Sequence, residues 1–110
     1  MALGDAIDER DETVTLAVNN VTNGNSIATP QTVTIIDDDP KPNVTLLVGN
    51  ASINEKTAPT STSVKVELDA VSGLDVIVTL KKDGDAINDT DYTLPGTITI
   101  TAGTASTTVT

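Results

Sequence analysis

The feature that most restricts the fold is an alternation of Thr with Val, Ile and Leu that recurs along the chain. It runs through Thr13–Val18, Gln31–Ile36, Val44–Val48, Ser63–Leu68, Asp75–Lys81, Thr97–Thr101 and Ser106–Thr110. A period of two puts one set of side chains on each face of an extended strand, so one face can be buried while the other meets water. The 3.6-residue spacing of an amphipathic helix is weak everywhere. The pattern predicts an all-β chain of about seven strands arranged as an antiparallel sandwich, with Ala51–Asn54 as a short extra strand. Between the runs, Asn23-Gly24-Asn25, Val71-Ser72-Gly73, Asp83-Gly84-Asp85, Pro95-Gly96 and Ala102-Gly103 each supply a residue that tolerates positive φ.

The material for a core is thin. Of 110 residues only Tyr92 is aromatic, and there is no Phe, Trp or Cys. The interior must therefore be filled by Val, Ile, Leu and Ala, and no disulfide can reinforce it. Tyr92 itself, following a loop Asp, is expected to plug the core.

The lack of Cys and His also removes thiol nucleophiles, imidazole bases and the usual zinc and copper ligands. Sixteen acidic residues face 6 basic ones, a formal charge of -10. That balance disfavours nucleic acid and anionic membranes and favours cations or basic partners. No run is long and apolar enough for membrane insertion by a helix.

Acidic residues concentrate in two places, Asp5-Ala6-Ile7-Asp8-Glu9-Arg10-Asp11-Glu12 and Asp37-Asp38-Asp39. Each lies at the end of a strand-like run. Carboxylates this dense repel unless a cation joins them, and hard oxygen donors in such number suit Ca²⁺. Pairing Thr13–Val18 with Gln31–Ile36 as an antiparallel hairpin would bring both groups to one end. Asp83-Gly84-Asp85 looks superficially like the start of an EF-hand loop, but Leu94 stands where that loop needs its Glu. Asp75, Asp83, Asp85 and Asp89 read as turn or surface carboxylates. The Thr-x-Thr runs read as β-propensity on a solvent face. Four glycosylation sequons, at Asn20, Asn43, Asn50 and Asn88, are given no role, because the pattern arises often by chance in a chain rich in Asn and Thr.

Taken together, these landmarks resemble the Calx-β repeat, the sandwich module of sodium/calcium exchangers and of many large bacterial surface proteins. The resemblance rests on the acidic stretch Asp5–Glu12, on Ile35-Ile36-Asp37-Asp38-Asp39-Pro40, on Ile53-Asn54-Glu55, on Asp91-Tyr92-Thr93-Leu94-Pro95-Gly96-Thr97 and on Thr101-Ala102-Gly103-Thr104. The order is out of register. Residues 1–39 resemble the C-terminal strand pair of one repeat, 40–42 a linker, and 43–110 the N-terminal five strands of the next. The resemblance implies an immunoglobulin-like sandwich completed between adjacent copies or repeats. It implies Ca²⁺ ligands at Asp5, the Ile7 carbonyl, Glu9, Glu12, Asp37, Asp38, Asp39, Glu55 and Asp91. Gly4 and Ala6 depart from the family, whose acidic loop often carries more aspartates.

Pro40-Lys41-Pro42 is a stiff, extended connection that reaches only about 10 Å, whereas a six-residue strand spans roughly 20 Å. Residues 13–36 are thus expected not to complete residues 43–110 of the same copy. A lone hairpin is marginal and a five-stranded remainder has open edges, so a neighbouring copy is expected to complement each, head to tail. The functional expectation is a non-enzymatic, calcium-binding structural repeat of an extracellular or cell-surface protein. Its partners would be copies of itself, with a surface or matrix partner also compatible. The alternative is a calcium-independent adhesive or ligand-binding sandwich. A regulatory calcium sensor is a third reading, although the sequence holds no membrane segment to regulate.

Overall fold

The computed structural model describes residues 1–56 and 58–110. The chain is all-β, with seven strands: β1 (Glu12–Leu16), β2 (Gln31–Ile35), β3 (Val44–Val48), β4 (Val64–Leu68), β5 (Val76–Thr79), β6 (Thr97–Ile100) and β7 (Ser106–Val109). Every one falls on an alternating run, within two residues of the expected limits. Ala51–Asn54 is not a strand. Four residues without a pairing partner cannot hold an extended ladder, and this segment belongs instead to the long β3–β4 connection.

All strand pairing is antiparallel and forms three sheets, β1-β2, β3-β4-β7 and β5-β6. The β3-β4-β7 and β5-β6 sheets pack on each other around Val66, Leu68, Ile98 and Ile100, flanked by half-buried Val64, Val76, Val78, Leu80 and Val109. The core consists of aliphatic side chains because alternation aims every second residue of β4 and β6 inward. Tyr92 is not part of it. Tyr92 lies half-buried in the β5–β6 loop, outside the strands whose alternation aims side chains at the core.

The β1-β2 hairpin stands apart from both sheets. Its strands pair only with each other, in the register Glu12↔Ile35 through Leu16↔Gln31. The consequence is a rod measuring 84 × 23 × 22 Å, with a Cα radius of gyration of 23.8 Å. A compact chain of about this length would have roughly 13 Å.

Turn chemistry accounts for the tight corners. Gly103 (φ +79°) carries the β6–β7 turn and Gly84 (φ +112°) bends the β5–β6 loop, conformations closed to most L-residues. In Asn23-Gly24-Asn25 it is Asn23, not the glycine, that takes positive φ (58°).

With so few buried side chains, each matters. Ile100→Ala is expected to remove about 2–5 kcal/mol, comparable with the whole folding free energy of so small a unit. Ile77→Ala, on the outer face of β5, should change stability by less than about 0.5 kcal/mol. Thermal denaturation followed by circular dichroism compares them.

Candidate functional site

The antiparallel hairpin starts β1 at Glu12 directly opposite Ile35 near the end of β2, so the residues preceding one strand meet those following the other. Asp11 extends the contact, its Oδ1 accepting the Asp37 N–H at 3.0 Å. Asp5, Glu9, Glu12, Asp37, Asp38 and Asp39 line one open cleft of about 720 Å³, with Arg10 as its cationic side chain. Ile35, Asp37 and Asp39 are half-buried while Ile36 and Asp38 are exposed, so the period of the strand continues into the acidic run. Ile7, beside the cleft, donates its N–H to Asp5 Oδ1 at 2.9 Å.

The carboxylates affect one another. Partial shielding from water, then repulsion from Asp5, Glu12, Asp37 and Asp39, raises the Glu9 carboxyl above its ordinary value. Asp39 is raised by the same shielding and by Asp37, Asp38 and Asp5, with the Ile7 N–H working in the opposite direction. Six of the nine residues expected as ligands thus share one field, and Ile7 adjoins it.

Glu55 and Asp91 lie elsewhere. They line a second open cleft, of about 570 Å³, together with Lys56, Asp89 and Tyr92. A tight turn positions Asp91: its N–H and that of Thr90 reach the Ile87 carbonyl at 2.8 and 3.2 Å. In return Asp91 Oδ2 accepts the Ile87 N–H at 2.7 Å. Asp89 sits in this turn at φ 66° and donates its N–H to the Tyr92 carbonyl at 2.7 Å. This cleft is built from the β3–β4 and β5–β6 connections, at the end of residues 43–110 where β4 begins and β5 finishes. The hairpin meets the opposite end. One copy therefore carries two separate acidic groups, divided by the length of its strands.

The junction of hairpin and body is a polar contact that sequence reasoning did not identify. Asp8 makes a parallel bridge with Ser72, and both are buried, at 8% and 1% exposure. The Ser72 hydroxyl donates to Asp8 Oδ2 at 3.1 Å and accepts the Leu74 N–H at 3.0 Å, while Gly73 donates its N–H to the Asp8 carbonyl at 2.9 Å. Gly73 is needed for close approach, because a Cβ there would stand 2.8 Å from Glu9 Cγ and 3.3 Å from the Asp8 carbonyl oxygen. Beyond the linker, Asn43 grips Asp69 through two hydrogen bonds of 2.7 Å, from its backbone and its side chain. These bonds lower the Asp69 pKa. Only the Ser-Gly turn signal pointed toward this region. The participation of Asp8 was hidden among its acidic neighbours, and Asp89 read as an ordinary turn residue.

Carboxylates gather in both clefts, and their oxygens are the donors that a hard divalent cation takes. Among the described residues, no three carboxylates converge closely enough to hold an ion as they stand. The side chains of each group would have to turn inward, or the two groups would have to meet. Compared with protein-family models, with curated proteins and with solved structures, the chain matches none.

Two measurements examine this geometry. Ser72→Ala removes a buried hydroxyl between Asp8 and the Leu74 N–H and is expected to cost about 1–3 kcal/mol of junction stability. Small-angle scattering should then show hairpin and body reorienting while the strand content seen by circular dichroism is retained. The second is pH dependence. Glu9 and Asp39 have raised values, so their repulsion acts fully above those values and is relieved as pH falls through them towards the ordinary 4.5 and 3.8. Asp69 is lowered, so its bonds to Asn43 persist above the ordinary 3.8 and are lost only as pH falls through the lower folded value. Carbon-detected NMR of the carboxyl groups should find Glu9 and Asp39 titrating above their ordinary values and Asp69 below its own.

Proposed function

We propose that this chain is a calcium-binding structural repeat of an extracellular or cell-surface protein, acting at the junction between modules and not as a catalyst. The observation that carries the reading is the shared field of Asp5, Glu9, Glu12, Asp37, Asp38 and Asp39, which two segments bring to one cleft at a cost in repulsion. The resemblance to the Calx-β repeat, whose ions bind at corresponding positions, supports it. Bound Ca²⁺ would supply positive charge at the centre of this field and tie its oxygens together. Asp5, Glu9 and Glu12 would hold it from the hairpin's entrance and Asp37–Asp39 from its exit. Glu55 and Asp91 would complete the shell from an adjoining copy or repeat, with Asp89 beside them. The Pro40–Pro42 linker follows directly, so closing the cleft would stiffen the path from one module to the next.

A calcium-independent adhesive or ligand-binding module is the second reading, favoured by the exposed apolar side chains of β1, β2 and β3. Calorimetric titration separates the two. Calcium is expected to bind with a dissociation constant on the order of 10⁻⁴–10⁻³ M, the range of extracellular modules. Asp37→Asn, Asp38→Asn and Asp39→Asn together should abolish the binding and any rise in melting temperature that calcium produces. No heat of binding at millimolar calcium would sink the calcium reading and leave the adhesive one.

A further inference from the structure

The part formed by residues 43–110 is missing cover along one side. Val44, Leu46 and Val48 of β3 stand in register with Leu68, Val66 and Val64 of β4 and share their inward face. Val66 and Leu68 are buried, but the three β3 side chains remain 45–59% exposed. The cause is the width of the opposing layer, which has only two strands against three. β6 lies against β7, where Thr107 Oγ1 donates to the Thr99 carbonyl at 3.3 Å. β5 therefore covers the middle of the larger sheet, and no described strand lies over β3. β5 also pairs with β6 alone, so its other edge is free beside the uncovered strip. The gap has the form of a missing piece of sheet: an open backbone edge with an apolar floor.

The hairpin has the matching surface. Val14 and Val33 are directly opposite each other, and Leu16 and Ile35 fall on the same face. Val14, Leu16 and Val33 are 44–59% exposed, with no other element against them. The reverse face carries Thr13, Thr15, Thr32 and Thr34, with Thr15 and Thr32 hydroxyls hydrogen-bonded at 3.0 Å. Glu12 and Gln31 stand at the two ends of the first face, leaving it apolar between them and suited to a core, while the other is suited to water. The strands that need cover and the strands able to provide it belong to the same sequence but do not meet within one copy. The Asp8–Ser72 contact fixes the base of the hairpin at the wrong end of the body, and three linker residues reach only about 10 Å.

We propose that the β1-β2 hairpin of one copy fills this gap in a second copy, with β1 antiparallel to β5. That direction brings the acidic start of β1 and the Asp37–Asp39 end of β2 to the cleft of Glu55 and Asp91. Pairing through β2 would send them to the opposite end. The contact is heterologous, since plug and socket are different surfaces, so it propagates head to tail instead of closing as a dimer. The apolar fit does not rest on the calcium reading, although the joint it makes is where the two acidic groups would meet.

The test uses the full chain and two surface variants, Val33→Glu in the plug and Leu46→Glu in the socket. Both sites are exposed, so circular dichroism should show the fold of each variant unchanged. Sedimentation velocity from micromolar to millimolar protein should find the unmodified chain growing into multimers, and each variant alone ceasing to grow. An equimolar mixture should stop at a one-to-one pair, because one sound plug and one sound socket remain. A chain that stays monomeric throughout would overturn the proposal. So would variants that polymerise like the unmodified chain, or a mixture that fails to pair. Runs in calcium and in EDTA with molar salt, which screens the carboxylates without the ion, keep a failure of calcium binding from hiding assembly. Calorimetry on the Leu46→Glu variant, with its hairpin carboxylates intact, reads calcium binding apart from polymerisation.

Discussion

The structure depends on a small buried polar contact. Asp8, Ser72 and Gly73 join the hairpin to the rest of the chain through hydrogen bonds, with no apolar seam between them. Such a contact is directional, and it requires partners at defined distances because an unmet buried group carries a penalty of about 1–3 kcal/mol. An apolar seam would have drawn the hairpin onto the body and hidden its Val and Leu side chains. A polar one holds the hairpin at arm's length, and both the extended outline and the exposed faces follow from that.

The distribution of charge follows the same division. The acidic residues are gathered at the base of the hairpin and, separately, at the remote end of the body, where Glu55, Asp89 and Asp91 lie. Neither group has enough basic side chains nearby to balance it. Repulsion within each is tolerated because the side chains remain in contact with solvent, where charges interact weakly. The cost would rise sharply if two such groups were pressed together and dried, so any joint between them calls for a cation.

Much of the fold could be read from the chain because alternation is a strictly local signal. Whether Val66 or Lys65 faces inward is decided by neighbours one residue away, and all seven strands were accordingly legible. The antiparallel pairing of the hairpin was legible too, because it brings both acidic runs to one end, but the register that sets Glu12 opposite Ile35 was not. What was hidden depends on contacts distant in sequence. The Asp8–Ser72 bridge links residues 64 positions apart, and nothing in either neighbourhood announces it. Tyr92 was misplaced because its size suggested a core position, whereas its loop lies at the end of the sheets. The grouping of Glu55 with Asp89 required knowing that two long connections lie side by side.

The way the chain crosses from hairpin to body bears on how the molecule can move. It makes the crossing twice, once covalently through Pro40–Pro42 into the Asn43–Asp69 pair and once through the Asp8 contact with Ser72 and Gly73. A single tether would act as a ball joint, free in every direction. Two tethers that attach at different points remove twist and sideways swing, leaving rotation about the line that connects them. The rod is in effect a door on two hinge pins, able to bend in one plane and stiff in the other.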